Sequence, residues 1–138
     1  MQRLIYTSVA SENLGQEGLF EIIETSARNN PSRELTGFLI FNNQKFFQMV
    51  EGPARQIADL LAVLHDDRRH HSIEILDRSD VPGRLFEKWR MKRLAGSNSK
   101  AILDALEIEA GSSEGARDVF EFASEFVAGT KERDGLAV

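Results

Sequence analysis

Residues 35–41, Leu-Thr-Gly-Phe-Leu-Ile-Phe, constrain the fold of this chain more than any other stretch. Side chains in a β-strand alternate between the two faces of the sheet, so Leu35, Leu39 and Phe41 point one way and Phe38 and Ile40 the other. A strand that is apolar at both parities belongs in a sheet covered on both faces. The chain must therefore supply one layer of strands and two layers to cover it.

The flanking sequence supplies them. Residues 3–8 are rich in apolar, aromatic and β-branched types and stop at the polar Ser11-Glu12-Asn13, as a first strand would. From about residue 16 to 28, Leu19, Ile22, Ile23 and Ala27 recur at helical spacing until Asn29-Asn30-Pro31 ends the pattern. Residues 35–41 and 45–50 form two strands around Asn42-Asn43-Gln44, where asparagine tolerates the positive φ of a tight hairpin. Pro53 suits a first helical turn, and Ile57, Leu60, Leu61 and Leu64 then make an apolar stripe that leads to the charged exit Asp66-Asp67-Arg68-Arg69. Residues 72–76 are a fourth strand, and the alternation of Trp89-Arg90-Met91-Lys92-Arg93-Leu94 predicts a half-buried fifth.

The order βαββαββ predicts an α+β sandwich of ferredoxin-like type, with a mixed five-stranded sheet and two helices on one face. The second face then falls to the tail, whose amphipathic segments are Ile102, Leu103 and Leu106, then Val119, Phe122, Ala123, Phe126 and Val127. The polar stretch at residues 96–100 divides a domain at 1–95 from a helical extension at 96–138, which is too short for a second independent core. That extension is a lid over the sheet, a surface for a subunit or partner, or both.

Composition excludes several kinds of chemistry. With no cysteine there is no disulfide, thiolate nucleophile, Cys-ligated metal or photochemistry that needs a cysteine adduct. A net charge of -5 over 138 residues argues against a general nucleic-acid binder. Nothing near Met1 resembles a leader, and the longest apolar stretch is too short to cross a bilayer, so a cytoplasmic protein without a membrane role is expected. There is no Gly-rich phosphate loop, no Ser-His-Asp spacing and no HExxH helix.

What remains is a set of amides and a phenol. In a ferredoxin-like sheet the first strand lies beside the third, which makes Tyr6 and Gln48 neighbours in otherwise apolar strands. Each alone has the ordinary explanation of a satisfied core hydrogen bond. Asn29 and Asn30 fall where the first helix ends beside the same face, and a helix C-cap accounts for one of them. The full set suits a neutral, planar, hydrogen-bonding heterocycle better than a phosphate or a metal. His70-His71 would point to opposite faces of a strand, so a shared metal is not expected. Lys88, Arg90, Lys92 and Arg93 either attract an anion or, the reading preferred here, keep an edge strand from aggregating.

The segments Arg3-Leu4-Ile5-Tyr6-Thr7-Ser8, Ser26-Ala27-Arg28-Asn29-Asn30, Leu35-Thr36-Gly37-Phe38-Leu39, Phe47-Gln48-Met49-Val50-Glu51-Gly52-Pro53, Asp67-Arg68-Arg69-His70 and Phe86-Glu87-Lys88-Trp89-Arg90-Met91 occur in this order. Over roughly its first two thirds, the chain resembles the BLUF family, blue-light sensors using flavin. The resemblance implies a flavin held between the two helices, with FAD expected and FMN and riboflavin as alternatives. Asn30 would bond the pyrimidine-side carbonyl and imide, and Gln48 would bridge Tyr6 and the ring. Ile22, Ile23 and Leu64 would form apolar walls, and Arg28, Asn29, Asp67 and His70 secondary contacts. It further implies that Tyr6 passes an electron, then a proton through Gln48, leaving the amide rotated or tautomerised. Trp89 and Met91 are the switch positions by this resemblance, able to exchange places near Gln48 and pass the change to the tail helices.

Arg90 stands where the family usually carries a small residue, which puts the switch geometry apart from the family pattern. No catalytic domain follows the sensor, so the expected output is not an enzyme activity but contact with a homo-oligomer or a separate signalling protein. Two other classes compete. An acylphosphatase-like hydrolase would need an anion cradle after the first strand, where Ser8-Val9-Ala10-Ser11-Glu12 carries a carboxylate and no arginine. A regulatory module binding a small ligand in the dark would be colourless.

Overall fold

The computed structural model describes residues 1–10, 34–66, 70–95 and 99–136 of the chain. Its elements are β1 (Gln2–Ala10), β2 (Thr36–Asn42), β3 (Lys45–Gly52), α1 (Ala54–Asp66), β4 (His70–Asp80), β5 (Lys92–Ala95), α2 (Ser99–Ala110) and α3 (Glu114–Leu136). The helix expected over residues 16–28 lies outside the described residues. The five strands form one sheet in the order β4-β1-β3-β2-β5, antiparallel except where β5 runs parallel to β2. β1 lies beside β3, as the βαββαββ order requires.

The hairpin between β2 and β3 is a two-residue turn. Asn42 pairs with Lys45, and Asn43 and Gln44 both take positive φ, at 52° and 62°, the backbone that matches the twist of the strands. Gly37 has a different reason for being glycine: at its φ of 145°, a Cβ would lie 1.9 Å from the Met49 carbonyl oxygen across the β2–β3 pair. Pro53 sits just before α1 and its carbonyl accepts the Gln56 and Ile57 N–H groups at 3.0 and 3.1 Å. The proline therefore occupies the capping position rather than the first turn itself.

Each face of the sheet is covered. On one side Leu4, Tyr6, Leu39, Phe46 and Val50 pack with the α1 stripe Ile57, Leu60, Leu61 and Leu64. On the other Ile5, Phe38, Ile40, Phe47 and Met49 pack with Phe86, with Ile102 and Leu106 of α2, and with Val119 and Ala123 of α3. The two parities of residues 35–41 thus divide between two cores, and the C-terminal helices cover the second. Burial of each large side chain there stabilises the fold by about 1.5–3 kcal/mol. Gly111, at φ 81°, closes α2 with its N–H on the Glu107 carbonyl at 3.1 Å. Ser113 then caps α3, its Oγ accepting the Ala116 N–H at 3.1 Å.

The bounds of β4 and β5 differ most from the sequence expectation. β4 extends over residues 70–80 instead of 72–76, because its backbone pairs with β1 from Gln2 opposite Asp80 to Ala10 opposite His70, with irregularities near Ile5/Tyr6 and Thr7/Val9. As an edge strand it needs no apolar pattern at its polar end. β5 is shorter than expected and begins at Lys92. Met91 adopts φ 59°, which breaks the alternation that would have made residues 89–94 one strand.

Candidate functional site

Antiparallel pairing sets Tyr6 of β1 directly opposite Gln48 of β3, both on the α1 face. The Tyr6 hydroxyl donates to Gln48 Oε1, and Gln48 Nε2 donates to Met91 Sδ at 2.9 Å. All three side chains are buried, among Leu4, Leu39, Phe46, Val50 and the α1 leucines. Burial pushes the Tyr6 hydroxyl above the ordinary phenol range, because a phenolate there would lose its hydration. The phenol keeps its proton and uses it on the amide.

This arrangement joins the two residues that strand order alone made neighbours, and adds a third. A thioether is a weak acceptor, so the carboxamide has one firm bond and one that is readily replaced. An amide presenting a donor and an acceptor, inside an apolar layer and beside a phenol, suits the carbonyl and ring-nitrogen edge of an isoalloxazine. That edge offers stronger acceptors than sulfur. The donor set thus fits a flavin. Leu64 belongs to the same buried cluster. Ile22, Ile23, Arg28, Asn29, Asn30 and Asp67 lie outside the described residues, as does the side chain of His70.

Trp89 and Met91 do not share a side of the sheet. Met91 belongs to the α1-side core, whereas Trp89 is half-buried on the other side, 5.1 Å from the Phe86 ring and edge-on to Phe38 at 6.1 Å. Lys92 Nζ lies 4.8 Å from the Trp89 ring centroid. In a regular strand positions two apart face the same way; the left-handed turn at Met91 separates them.

Glu51 carries a role that its sequence motif did not reveal. It is fully buried at the end of β3, where Oε1 accepts the Phe86 N–H at 2.6 Å and the Thr36 hydroxyl at 3.3 Å, and Oε2 accepts the Leu85 N–H at 2.9 Å. The available signal was an acidic residue directly after a strand segment that is apolar at Phe46, Phe47, Met49 and Val50. His71 is exposed and contacts Ser72 Oγ at 2.9 Å, and no group of three or more metal-binding side chains occurs among the described residues. Lys88, Arg90, Lys92 and Arg93 are exposed or outward on the strand edge. Among the described residues no helix is long and apolar enough to cross a membrane.

A family model described as BLUF, sensors of blue-light using FAD, matches residues 1–92. The chain belongs to the BLUF family. The BLUF structure of BlrP1 superposes with a TM-score of 0.78 at 26% identity, covering 92% of this chain and 89% of that one. BlrB, a BLUF protein in its dark state, superposes with a TM-score of 0.66 at 26% identity, over 93% of this chain and 96% of its own. The blue light- and temperature-regulated antirepressor BluF of Escherichia coli K12 is 33% identical over 89 residues, which are 64% of this chain and 22% of BluF. The photoactivated adenylate cyclase subunit alpha of Euglena gracilis is 29% identical over 94 residues, 67% of this chain and 9% of that subunit. This BLUF chain therefore spans only a minor part of those two curated relatives, while it spans nearly all of BlrB.

Proposed function

We propose that this BLUF chain is a blue-light receptor that binds FAD on the α1 face of its sheet and signals, without substrate turnover, through altered contacts with a second protein. The observation that carries this reading is the buried relay from Tyr6 through Gln48 to Met91. When bound, the flavin supplies a blue-absorbing chromophore and, on excitation, a one-electron oxidant. Asn30 would hold its pyrimidine edge, with Ile22, Ile23 and Leu64 as walls and Arg28, Asn29, Asp67 and His70 around the rim and ribityl chain.

The chain's own residues then perform three tasks. Tyr6, kept neutral by burial, is the electron donor, and its hydroxyl proton is already aimed at Gln48 Oε1. Gln48 would take that proton on Oε1 and release one from Nε2, so that when charge recombines and the proton goes back to Tyr6 the amide can be left in its other rotamer or tautomer. A carboxamide that ends rotated or tautomerised no longer presents the same N–H to Met91 Sδ, so the bond that ties β3 to the segment before β5 is exchanged for another. Met91 and Trp89 belong to opposite cores, and Trp89 packs on Phe86, which the C-terminal helices also touch. A change at Gln48 is thereby passed from the α1 side to α2 and α3, whose outer surface is the output face of this reading.

The antirepressor function named for BluF supports a separate protein as the recipient, in a cytoplasmic setting, with a homo-oligomer as the alternative recipient. The test is optical. Protein purified in the dark should be yellow with bound FAD, and blue light should shift its absorption reversibly to the red. A folded chain that takes up no flavin, or one whose flavin spectrum is indifferent to light, overturns the proposal.

A further inference from the structure

Between β4 and β5 the chain runs through residues 81–91 without helix or strand, yet Phe86 is fully buried and Trp89 half-buried within it. Backbone N–H groups carried into a core by such a segment need partners there. Glu51 supplies them for two successive residues, Leu85 and Phe86, at 2.9 and 2.6 Å. Arg84 closes the arrangement from the other side: its Nη1 donates to Thr36 Oγ1 at 2.8 Å and to the Glu51 carbonyl at 3.0 Å, while the Thr36 hydroxyl donates to Glu51 Oε1. The segment then folds on itself through Trp89 N–H to the Phe86 carbonyl at 3.0 Å, and Gly37 N–H donates to the Trp89 carbonyl at 2.8 Å.

We propose that Glu51 is a positioning residue for the signalling segment: by clamping the backbone at Leu85 and Phe86, its carboxylate determines where Trp89 and Met91 sit relative to Gln48. Burying a carboxylate in an apolar layer is costly unless its oxygens are satisfied, and here the satisfying donors come from the segment itself and from the Thr36–Arg84 pair beside it. The side chain is thus committed to one loop. Glu51 and Gln48 lie three residues apart on β3 and on opposite faces, so β3 grips the segment from both sides of the sheet. The Glu51 grip is multiple and charge-assisted; the Gln48 grip is one contact to sulfur, next to the left-handed backbone of Met91. When the weaker grip is exchanged, Leu85 and Phe86 stay in place and the displacement falls on residues 89–91. This role rests on the photoreceptor reading for its consequence in light, and on the geometry alone for the placement of Trp89.

Trp89 is the chain's only tryptophan, so its emission reports this segment directly. The experiment compares the 138-residue chain with Glu51→Gln, Arg84→Met and, as a control of packing loss on α3, Val127→Ala. Glu51→Gln keeps the shape and turns one acceptor into an N–H that faces a backbone N–H. The expected result is acrylamide quenching of Trp89 raised about twofold or more, as local order is lost. In light, return of the red-shifted state should change about threefold or more, the rate equivalent of a weakened hydrogen-bond clamp. Flavin affinity should stay at the wild-type value, and Val127→Ala should move neither readout. Wild-type quenching and return rate in both Glu51→Gln and Arg84→Met overturn the proposal. If Glu51→Gln does not fold, raised Trp89 quenching in Arg84→Met supports the clamp and unchanged quenching overturns it. A wild type that never reddens refutes the photoreceptor reading, while Trp89 quenching still decides the clamp.

Discussion

Gln48 and Met91 are joined by an N–H···S contact of 2.9 Å that links the central strand β3 to the left-handed turn ahead of β5. The donor is an amide that a phenol also holds, and the acceptor Met91 packs on the α1 side of the sheet whereas Trp89 packs on the other. On the proposed photocycle, a change at the amide would be felt first at Met91.

Replacing Met91 by leucine tests that link. The change conserves volume and should cost less than about 1.5 kcal/mol of stability. It removes the sulfur acceptor, so the lit state should return to the dark state at a rate altered about threefold or more, with flavin content unchanged. Dark-recovery kinetics of the red shift measure it; a rate equal to wild type means the sulfur is not a partner of the amide during the cycle.

Tyr6→Phe removes the donor from Gln48 Oε1 and leaves a buried carbonyl short of a partner. The expected loss is about 1–3 kcal/mol, read from urea unfolding. The variant should still bind flavin and should show no reversible red shift, because the proposed electron and proton source is gone.

The buried phenol also makes stability fall in alkali. Its folded-state pKa lies above the ordinary phenol value of about 10, so the contribution is fully present below that pH. Above it the unfolded chain releases a proton that the folded chain retains, and stability declines by up to about 1.4 kcal/mol per pH unit until the folded phenol also ionises. Tyr6 is the only tyrosine in the chain, so tyrosinate absorbance should appear together with the loss of helical circular dichroism rather than before it. Tyrosinate seen in still-folded protein near pH 10.5, about half a unit above the free phenol value, would contradict the burial argument.

Gly37→Ala should be far more damaging than its size suggests. An added Cβ would lie 1.9 Å from the Met49 carbonyl oxygen, and the φ of 145° is open to glycine almost alone. The loss expected is more than about 3 kcal/mol, or failure to fold, followed by circular dichroism and thermal unfolding. A Tm near that of the wild type would mean that β2 and β3 pair differently from this register.

Among the described residues, the elements and their order were legible because periodicity is local. The α1 stripe of Ile57, Leu60, Leu61 and Leu64 and the double parity of residues 35–41 are visible in the sequence, and strand order then implies that Tyr6 and Gln48 are neighbours. The bounds of β4 were not, since an edge strand is defined by its backbone partners on β1 rather than by its side chains. Nor was the separation of Trp89 from Met91, because a single positive φ at Met91 reverses an alternation that composition favours. Glu51 stands within a sequence motif, but its partners Leu85 and Phe86 lie more than 30 residues away.

By itself the sequence determined which residues are apolar, at what spacing, and hence that one sheet must lie between two layers with a phenol and an amide side by side. Only tertiary structure decided what that amide reaches, which core Trp89 and Met91 each enter and which acid holds the segment between β4 and β5. The physical reason is the same throughout: patterns of burial are written along the chain, whereas hydrogen-bond partners are chosen across it.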